Sequence, residues 1–266
     1  MKLRGKVVAV TGGASGIGKA MCERFAAEGA VAVAVADLDA EGASALAEQL
    51  SATTRAIGAA VDVARESELV ALIDRVEHDL GPIDLFCSNA GLAIAGGAEV
   101  PDGDWARAWA VNVMAHVYAA RTLVPRMAAR GGGYLLATAS AAGLLTNLGS
   151  APYTATKHAA VAFAEWLSIT HAADGIRVSC LCPQGVRTPM LVRGLEAGQA
   201  AASAVLAAGE MIAPEQVADS VVRALDEERF LVLPHPEVAG YARHRAEDPE
   251  RWLRDLRRLW DRLRAP

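Results

Sequence analysis

The chain has 266 residues, of which 53% are apolar and 21% charged, and its formal net charge is −5. This composition suits one large α/β domain or two small ones, and it excludes an intrinsically disordered chain. The acidic balance, without a basic cluster, argues against nucleic-acid binding, and the lack of a long, regular apolar run argues against a membrane-spanning protein.

Short apolar runs with strand character alternate with longer stretches of helical periodicity. The strands are predicted at residues 7–10, 31–36, 56–61, 84–89, 134–139, 177–182 and 230–233. The helices are predicted at residues 16–28, 40–51, 66–80, 104–130, 153–173 and 215–227. Because the strands are apolar throughout, both faces of their sheet must be covered. This order predicts an α/β fold in a single domain: a Rossmann-like, doubly wound parallel sheet of about seven strands with helices on both faces.

The first predicted strand leads directly into TGGASGIG, a glycine-rich segment at residues 11–18 that a helix follows. Spaced glycines allow a tight turn and a close approach of the backbone to a pyrophosphate, and the helix N-terminus adds free N–H groups. The segment therefore predicts a dinucleotide-binding loop, although a tight turn without a ligand is the alternative. Its candidate binding residues are Gly12, Ser15, Gly16, Ile17 and Gly18.

The second predicted strand is followed by Asp37, about 20 residues beyond the glycine-rich loop. A carboxylate at this place can accept hydrogen bonds from the adenosine ribose hydroxyls and would repel a 2′-phosphate. Ser15 and Leu38 stand where a basic side chain would bind that phosphate, and both are uncharged. The sequence thus predicts NAD over NADP; the alternative is that Asp37 only caps a helix, because DLDAEG resembles a helix start.

Lys157 is one of only four lysines among 26 basic residues, and it follows Tyr153 by four positions. On the predicted helix these two side chains face the same way. A phenol titrates near ~10, so a nearby ammonium that stabilises the phenolate would bring it closer to the range of a general base. We hypothesise that the amine tunes the phenol; a chance lysine on a solvated helix face is the alternative.

These motifs, in this order, resemble the short-chain dehydrogenase/reductase family of the Tyr-x-x-x-Lys type, over about residues 5–235. Besides the glycine-rich loop, the family's positions are matched by Asn89, Ala90, Gly91, Asn112, Ser140, Tyr153 and Lys157. The resemblance implies that a hydride moves between a substrate carbon and a nicotinamide ring.

The resemblance also implies catalytic roles. Tyr153 would be the general acid/base, and Ser140 would hold the substrate oxygen by a hydrogen bond. Lys157 would lower the pKa of the phenol and bind the nicotinamide ribose. Asn112 would hold a water that links Lys157 to solvent. Taken alone, Ser140 could belong to a simple turn and Asn112 could make only a local hydrogen bond.

Further cofactor contacts are implied by the resemblance. Asp62, after the third strand, would bind the adenine amino group with Val63 beside it, and Thr188 would touch the nicotinamide carboxamide. The expected cofactor-binding residues are Gly12, Ser15, Gly16, Ile17, Gly18, Asp37, Asp62, Val63, Asn89, Ala90, Gly91, Tyr153, Lys157, Pro183, Val186 and Thr188. One departure follows the sixth strand, where Gln184 stands in place of the glycine that the family usually has. The resemblance therefore does not predict the local backbone conformation or the identity of the substrate.

Three segments, at residues 92–97, 141–150 and 188–211, are expected to frame the substrate. They contain few polar groups and no cluster of arginines. We therefore expect a largely apolar secondary alcohol or ketone. The alanine-rich stretch 197–208 is interpreted as a mobile lid, with an ordinary surface helix as the alternative.

The favoured function is that of an NAD-dependent short-chain alcohol dehydrogenase or ketone reductase. A catalytically inactive nucleotide-binding sensor or scaffold is the first alternative, and intact Ser140, Tyr153 and Lys157 argue against it. Methyl transfer on a similar sheet is the second, and YTATK after the fifth strand argues against that. The fold alone does not decide among them.

Residues 1–235 are expected to form the NAD-binding catalytic domain, including a substrate loop at about 188–212, and residues 236–266 a C-terminal helical extension. Asp248-Pro249-Glu250 predicts the start of a helix. The residues at helical spacing beyond it form one apolar stripe: Trp252, Leu256, Leu259, Trp260 and Leu263. This stripe is expected to pack on the domain or on a partner subunit.

The four cysteines show no metal-type spacing, and Cys180 and Cys182 are predicted to be small core residues. Cys180 and Cys182 are expected to share a strand face. A reducing cytoplasm is the expected compartment, since the first strand begins too early to leave room for a signal peptide. The resemblance implies a homotetramer or homodimer.

Overall fold

The computed structural model describes residues 1–264. Seven strands within them form one parallel sheet. Its strands are β1 (Val7–Thr11), β2 (Ala32–Asp37), β3 (Arg55–Ala60), β4 (Leu85–Ser88), β5 (Gly133–Thr138), β6 (Ile176–Leu181) and β7 (Leu231–Val232). They lie in the order β3-β2-β1-β4-β5-β6-β7, and every pairing is parallel. The predicted doubly wound sheet is confirmed, with β7 shorter than expected.

Helices cover both faces of this sheet. They are α1 (Gly16–Ala27), α2 (Ala40–Leu50), α3 (Glu66–Asp79), α4 (Asp102–Trp109), α5 (Ala115–Ala129), α6 (Ala151–Thr170), α7 (Pro189–Glu196), α8 (Ala200–Ala207), α9 (Pro214–Asp226), α10 (Glu237–Glu247) and α11 (Pro249–Arg264). One core joins the sheet to α3, α5 and α6 through residues such as Ile73 and Leu123. The other joins it to α1, α2 and α9 through residues such as Phe25 and Val221.

The central strand β1 shows why the strands are apolar throughout. Val7 and Ala9 belong to one core, whereas Val8 and Val10 belong to the other. Successive side chains of a strand point to opposite faces, so a strand covered on both sides favours apolar residues at every position. The strand order reverses between β1 and β4, which places a crevice at the carboxyl ends of these two strands.

Several helices differ from the prediction. The helix expected at 104–130 is divided into α4, a π-helical turn at Ala110–Met114 and α5. Pro152 lies within the first turn of α6, where a missing N–H costs nothing, so this helix begins before Tyr153. The segment 188–212 contains α7 and α8. α10 lies within the predicted C-terminal helical extension, although its boundaries were not predicted. Within residues 1–264, no helix has both the length and the apolar character needed to cross a membrane.

The interpretation of Cys180 and Cys182 as core residues is confirmed. Cys22, Cys87, Cys180 and Cys182 are all buried free thiols. The sulfurs of Cys180 and Cys182 lie 3.8 Å apart, as expected for residues on one strand face. Desolvation raises the pKa of the Cys87 thiol well above its ordinary value, which keeps it protonated and unreactive.

Candidate active site

A cavity of about 650 Å³ opens along the carboxyl ends of the strands. Three of the predicted catalytic residues line it: Ser140, Tyr153 and Lys157. The predicted cofactor residues that line it are Gly12, Ser15, Gly16, Ile17, Asp37, Asp62, Val63, Asn89, Ala90, Gly91, Tyr153, Lys157, Pro183, Val186 and Thr188. Gly18 and Asn112 do not line the cavity but support residues that do. The sequence-derived set is thus brought together in one place.

The glycine-rich loop between β1 and α1 is packed closely at its glycine positions. A Cβ atom on Gly18 would lie 1.9 Å from the carbonyl oxygen of Gly12. Gly12 has a φ of +65° and Gly16 a φ of +52°, in the left-handed region that glycine adopts at little cost. Backbone is therefore exposed to the cavity at the start of α1, as a pyrophosphate site requires.

A pair of polar residues joins β1 to β4 beneath this loop. The Asn89 Nδ2 donates to the carbonyl oxygens of Thr11 at 3.0 Å and Gly12 at 3.3 Å. The Thr11 hydroxyl accepts from the backbone N–H groups of Asn89 at 3.0 Å and Ala90 at 3.1 Å. Thr11 belongs to the glycine-rich segment, but it was not predicted to be a site residue. Its threonine hydroxyl at the switch point of the sheet is the signal that would have identified it.

Asp37, the last residue of β2, lines the cavity near the glycine-rich loop. One carboxylate oxygen accepts from the Ala14 N–H at 2.9 Å, and the other accepts from the Asp39 N–H at 3.1 Å. The carboxylate is thus fixed to the glycine-rich loop. The helix cap proposed as the alternative for Asp37 is supplied by Asp39, which accepts from the Gly42 N–H at 3.0 Å. Leu38 is 75% exposed and brings no charge to this corner.

The catalytic candidates lie at the middle of the cavity. Ser140 follows β5 and begins a 3₁₀ turn, where its Oγ accepts from the Ala142 N–H at 3.1 Å. Tyr153 and Lys157 share one face of α6, with the Lys157 Nζ 5.6 Å from the centroid of the phenol ring. The Nζ donates to the Thr138 carbonyl oxygen at 2.9 Å. Three elements, β5, the 3₁₀ turn and α6, therefore fix these side chains relative to one another.

Comparison with known proteins identifies the family of this chain. The model of the short chain dehydrogenase family matches residues 6–197. The chain belongs to the short-chain dehydrogenase/reductase family. It is an oxidoreductase of that family, and its loop, crevice and acidic residue fit a nicotinamide dinucleotide.

Individual relatives match between 70% and 94% of this chain. A 1-deoxy-11-beta-hydroxypentalenate dehydrogenase from Streptomyces exfoliatus is 37% identical over 93% of this chain and 90% of its own. A 3beta-hydroxysteroid dehydrogenase 2 from Eggerthella lenta is 35% identical over 70% of this chain and 73% of its own. A family member from Burkholderia phymatum, solved in complex with NAD, superimposes with a TM-score of 0.86 at 30% identity, over 94% of this chain and 96% of that one.

Asn112 is held in place by hydrogen bonds to two other parts of the chain. It is fully buried in the π-helical turn, where its side chain accepts from the Leu92 N–H at 3.0 Å and donates to the Leu92 carbonyl at 2.9 Å. It also donates to the Thr156 hydroxyl at 3.0 Å. These bonds tie the segment after Gly91 to α6, one residue before Lys157. The π-helical turn, which inserts an extra residue, aims Asn112 inward.

Gln184 replaces the glycine that the family usually has, and His235 supports the backbone at this position. His235 is 2% exposed, and its Nδ1 accepts from the Gln184 N–H at 3.2 Å. Its Nε2 lies 3.0 Å from the Gly185 carbonyl oxygen and donates to it in the tautomer that the first bond requires. The side-chain amide of Gln184 lines the cavity and has no hydrogen-bond partner among residues 1–264. The displaced glycine is thus accommodated by a histidine that sequence reasoning missed.

Two residues that adjoin predicted site residues, His158 and Arg187, do not line the cavity. His158 points away from Tyr153, and its Nδ1 lies 2.9 Å from the Thr154 carbonyl oxygen, so it donates within its own helix. Arg187 is exposed to solvent rather than turned into the cavity as a clamp.

The titration of the central groups is set mainly by burial. Desolvation raises the pKa of the Tyr153 phenol, and the hydrogen bond to Ser140 only partly offsets this. Desolvation lowers the pKa of Lys157 from its ordinary 10.5 to about 8. Among the chain's own residues, burial outweighs the hydrogen bond from Ser140, so the net shift of the phenol pKa is upward. A second positive charge near the phenol would be needed to reverse the direction.

Lys157→Met is expected to stabilise the protein at pH 7 by about 1–3 kcal/mol. Since the folded-state pKa of Lys157 is depressed, the unfolded chain holds this proton to higher pH, and the cost of burying the charge is fully present below about pH 8. The cost disappears as the pH rises from about 8 to 10.5.

Urea unfolding at pH 7 and at pH 10 measures this effect, and the stability gap between variant and parent should narrow at pH 10. Lys19→Met, which removes an exposed lysine of α1, is the matched control and should change stability by about 0.5 kcal/mol or less. A Lys157→Met protein that is less stable than the parent at pH 7 would contradict the assignment of a burial cost.

Proposed function

We propose that this enzyme transfers a hydride between NAD(H) and a largely apolar secondary alcohol or ketone, with Tyr153 as general acid/base. The observation that carries the proposal is the grouping of Ser140, Tyr153 and Lys157 in one cavity, which the glycine-rich loop and several apolar side chains also line. When bound, the nicotinamide ring supplies the hydride acceptor or donor. The intact catalytic grouping argues against a catalytically inactive sensor.

The chain's own residues divide the work of proton transfer. In alcohol oxidation, Tyr153 accepts the hydroxyl proton of the substrate, and Ser140 donates a hydrogen bond to the same oxygen. Lys157 is proposed to hold the nicotinamide ribose and to stabilise the phenolate as a point charge. Because Lys157 is fixed to the Thr138 carbonyl, its amine has little freedom to leave the phenol. In ketone reduction, Tyr153 returns its proton to the oxygen.

A largely apolar substrate is supported by the remaining walls of the cavity. Leu145, Leu148, Met190, Leu191 and Val205 line it. The relatives described above act, by their names, on a hydroxysteroid, which is a largely apolar alcohol, and on a hydroxypentalenate, which is an alcohol that also carries a carboxylate. Apolar walls bind through the area removed from water and cost free energy when a charged group is buried against them.

An initial-rate screen tests the proposed function. Secondary alcohols graded in size and charge are offered with NAD and, separately, with NADP, and the reduced cofactor is followed by absorbance. We expect NAD-dependent turnover that rises with apolar bulk and falls steeply when the alcohol is charged. A preference for sugars or sugar nucleotides would contradict the apolar substrate.

Asp37→Ser is expected to lower the ratio of kcat/KM for NAD to that for NADP by about tenfold or more, because it removes a charged acceptor for the ribose hydroxyls. Asp39→Ser is the control, since it removes the same charge two residues away and serine still caps α2. Both ratios are measured with one alcohol under the same conditions. Comparable affinity of the parent enzyme for NADH and NADPH would refute the preference for NAD.

The proposal includes two expectations about the whole protein. Residues 1–235 are proposed to be the catalytic domain, with residues 188–212 as its substrate loop, and residues 236–266 an appended helical extension. We further propose a cytoplasmic homotetramer or homodimer, as the family resemblance implies. Light scattering would test the assembly, and a monomer at micromolar concentration would contradict it.

A further inference from the structure

The C-terminal helices α10 and α11 form a hairpin beside the substrate side of the cavity. α11 packs against α8 and against α10, with the His244 and Trp252 rings in edge contact at 6.0 Å. Three side chains of the apolar stripe predicted from the sequence line the cavity: Trp252, Leu256 and Leu259. All three are half-buried. The stripe therefore faces the cavity that contains Tyr153.

The hairpin is held by polar bonds at two places next to the catalytic groups. The Arg245 guanidinium donates to the Leu144 carbonyl, in the segment that follows Ser140, and its Nη1 lies 3.2 Å from the His158 Nε2. His158 directly follows Lys157 on α6. These contacts place α10 against the segments that carry all three catalytic side chains.

A further bond joins the hairpin to the substrate loop. The Tyr241 hydroxyl donates to the Ala208 carbonyl at 3.2 Å, just beyond the end of α8. Tyr241 also lines the cavity. The loop and the hairpin are thus connected, so a substrate held between them would contact both.

The outer surface of α11 has the opposite character. Arg251, Arg254, Arg257 and Arg258 are exposed. Leu253, directly after Trp252, is 44% exposed and does not line the cavity. The arginines of the outer face are best solvated when they point to solvent. Solvation therefore favours the same orientation of α11 as the packing of the stripe against the cavity does.

We infer that the α10–α11 hairpin is the distal wall of the substrate pocket and selects bulky, cyclic alcohols over small ones. This inference rests on the proposed function. Trp252, Leu256 and Leu259 would contact the part of the substrate far from its reacting carbon, and the indole of Trp252 offers a flat apolar surface that suits a fused ring system. Because the family match ends at residue 197, this wall belongs to the part of the chain outside it.

Trp252→Ala, with Leu253→Ala as its matched control, tests the inference in the full-length enzyme. The probes are 2-decalol, a bicyclic secondary alcohol, and 2-butanol, each with NAD. For Trp252→Ala we expect kcat/KM for 2-decalol to fall about tenfold or more, mainly through KM, while kcat/KM for 2-butanol stays within about twofold. Leu253→Ala should match the parent with both alcohols, and NADH affinity should be unchanged in both variants.

Leu256→Trp provides a second variant that fills the pocket instead of emptying it, which separates a role in recognition from a loss of folding. It should also weaken 2-decalol selectively, because added volume excludes the larger substrate first. Equal losses for both alcohols, or a Trp252→Ala enzyme that keeps the parent's preference for 2-decalol, would overturn the inference.

Calorimetric titration of the NADH complex with 2-decalone separates this inference from the proposed function. If neither alcohol is oxidised by the parent, the proposed function fails. The wall is still supported if 2-decalone binds the parent at least about tenfold more tightly than Trp252→Ala. Equal binding, or none to the parent, would overturn it.

Discussion

Tyr153→Phe is expected to lower kcat for alcohol oxidation by about 10²- to 10⁴-fold, the usual contribution of a general acid/base. The ring of Tyr153 keeps its place on α6 in this variant, because only the hydroxyl oxygen is removed. Ser140 would still donate a hydrogen bond to the substrate oxygen, but no group at that point would accept its proton. The loss should therefore appear in kcat, and the affinity for NADH should stay within about twofold.

Steady-state rates with one secondary alcohol, together with NADH titration by fluorescence, measure this effect. Tyr118→Phe is the control, since Tyr118 lies on α5 beside Arg121 and does not line the cavity. It should retain the parent's kcat. A Tyr153→Phe enzyme within about tenfold of the parent, or a Tyr118→Phe enzyme with an equal loss, would remove Tyr153 from the role of acid/base.

Gly18→Ala is expected to weaken NADH binding by about 10²-fold. The added Cβ would lie 1.9 Å from the backbone carbonyl oxygen of Gly12, so no side-chain movement can relieve the overlap. The glycine-rich loop must shift instead, and the Asn89 bonds that hold Gly12 and Thr11 resist that shift. A displacement of about 1 Å at a preorganised site costs roughly this factor.

Gly103→Ala is the matched control, because a Cβ on this residue of α4 meets nothing within 4 Å. Alanine at a helical position should add about 0.5–1 kcal/mol of stability without affecting NADH binding. Fluorescence titration gives the affinities and urea unfolding gives the stabilities. If Gly18→Ala bound NADH as the parent does, the loop would not be the dinucleotide site.

The fold could be predicted because its signals are local. Strands buried on both faces read as continuous apolar runs, and β1 and β2 are clear examples. The helix boundaries at Asp39 and Asp248 were also local, since each carboxylate accepts from a backbone N–H of its own first turn. The i, i+4 spacing of Tyr153 and Lys157 was sufficient to place both side chains on one helix face.

The features that were missed depend on contacts between distant parts of the chain. His235 supports Gln184 across a separation of 51 residues, and Arg245 reaches Leu144 across 101 residues. The π-helical turn at Asn112 is stabilised by bonds to Leu92 and α6 rather than by its own sequence. No local pattern encodes these pairs.

The upward shift of the Tyr153 pKa could not be predicted from the sequence for a similar reason. The sequence shows a charge four residues away, but it does not show how completely the phenol and the amine are removed from water. In the structure, desolvation opposes the charged form of both groups and is the largest cause of each shift. Burial is a property of the assembled site, so it could not be weighed from spacing alone.

Deuterium transfer tests the central claim most directly. Secondary alcohols graded in size, each with deuterium on the carbinol carbon, are incubated with the enzyme and NAD, and the reduced cofactor is analysed by mass spectrometry. We predict that deuterium appears in the reduced cofactor, most rapidly with the bulky apolar alcohols, and that Tyr153→Phe lowers the rate by the factor given above. Reduced cofactor without deuterium, or no reduction by any alcohol while NADH still binds, would contradict the account.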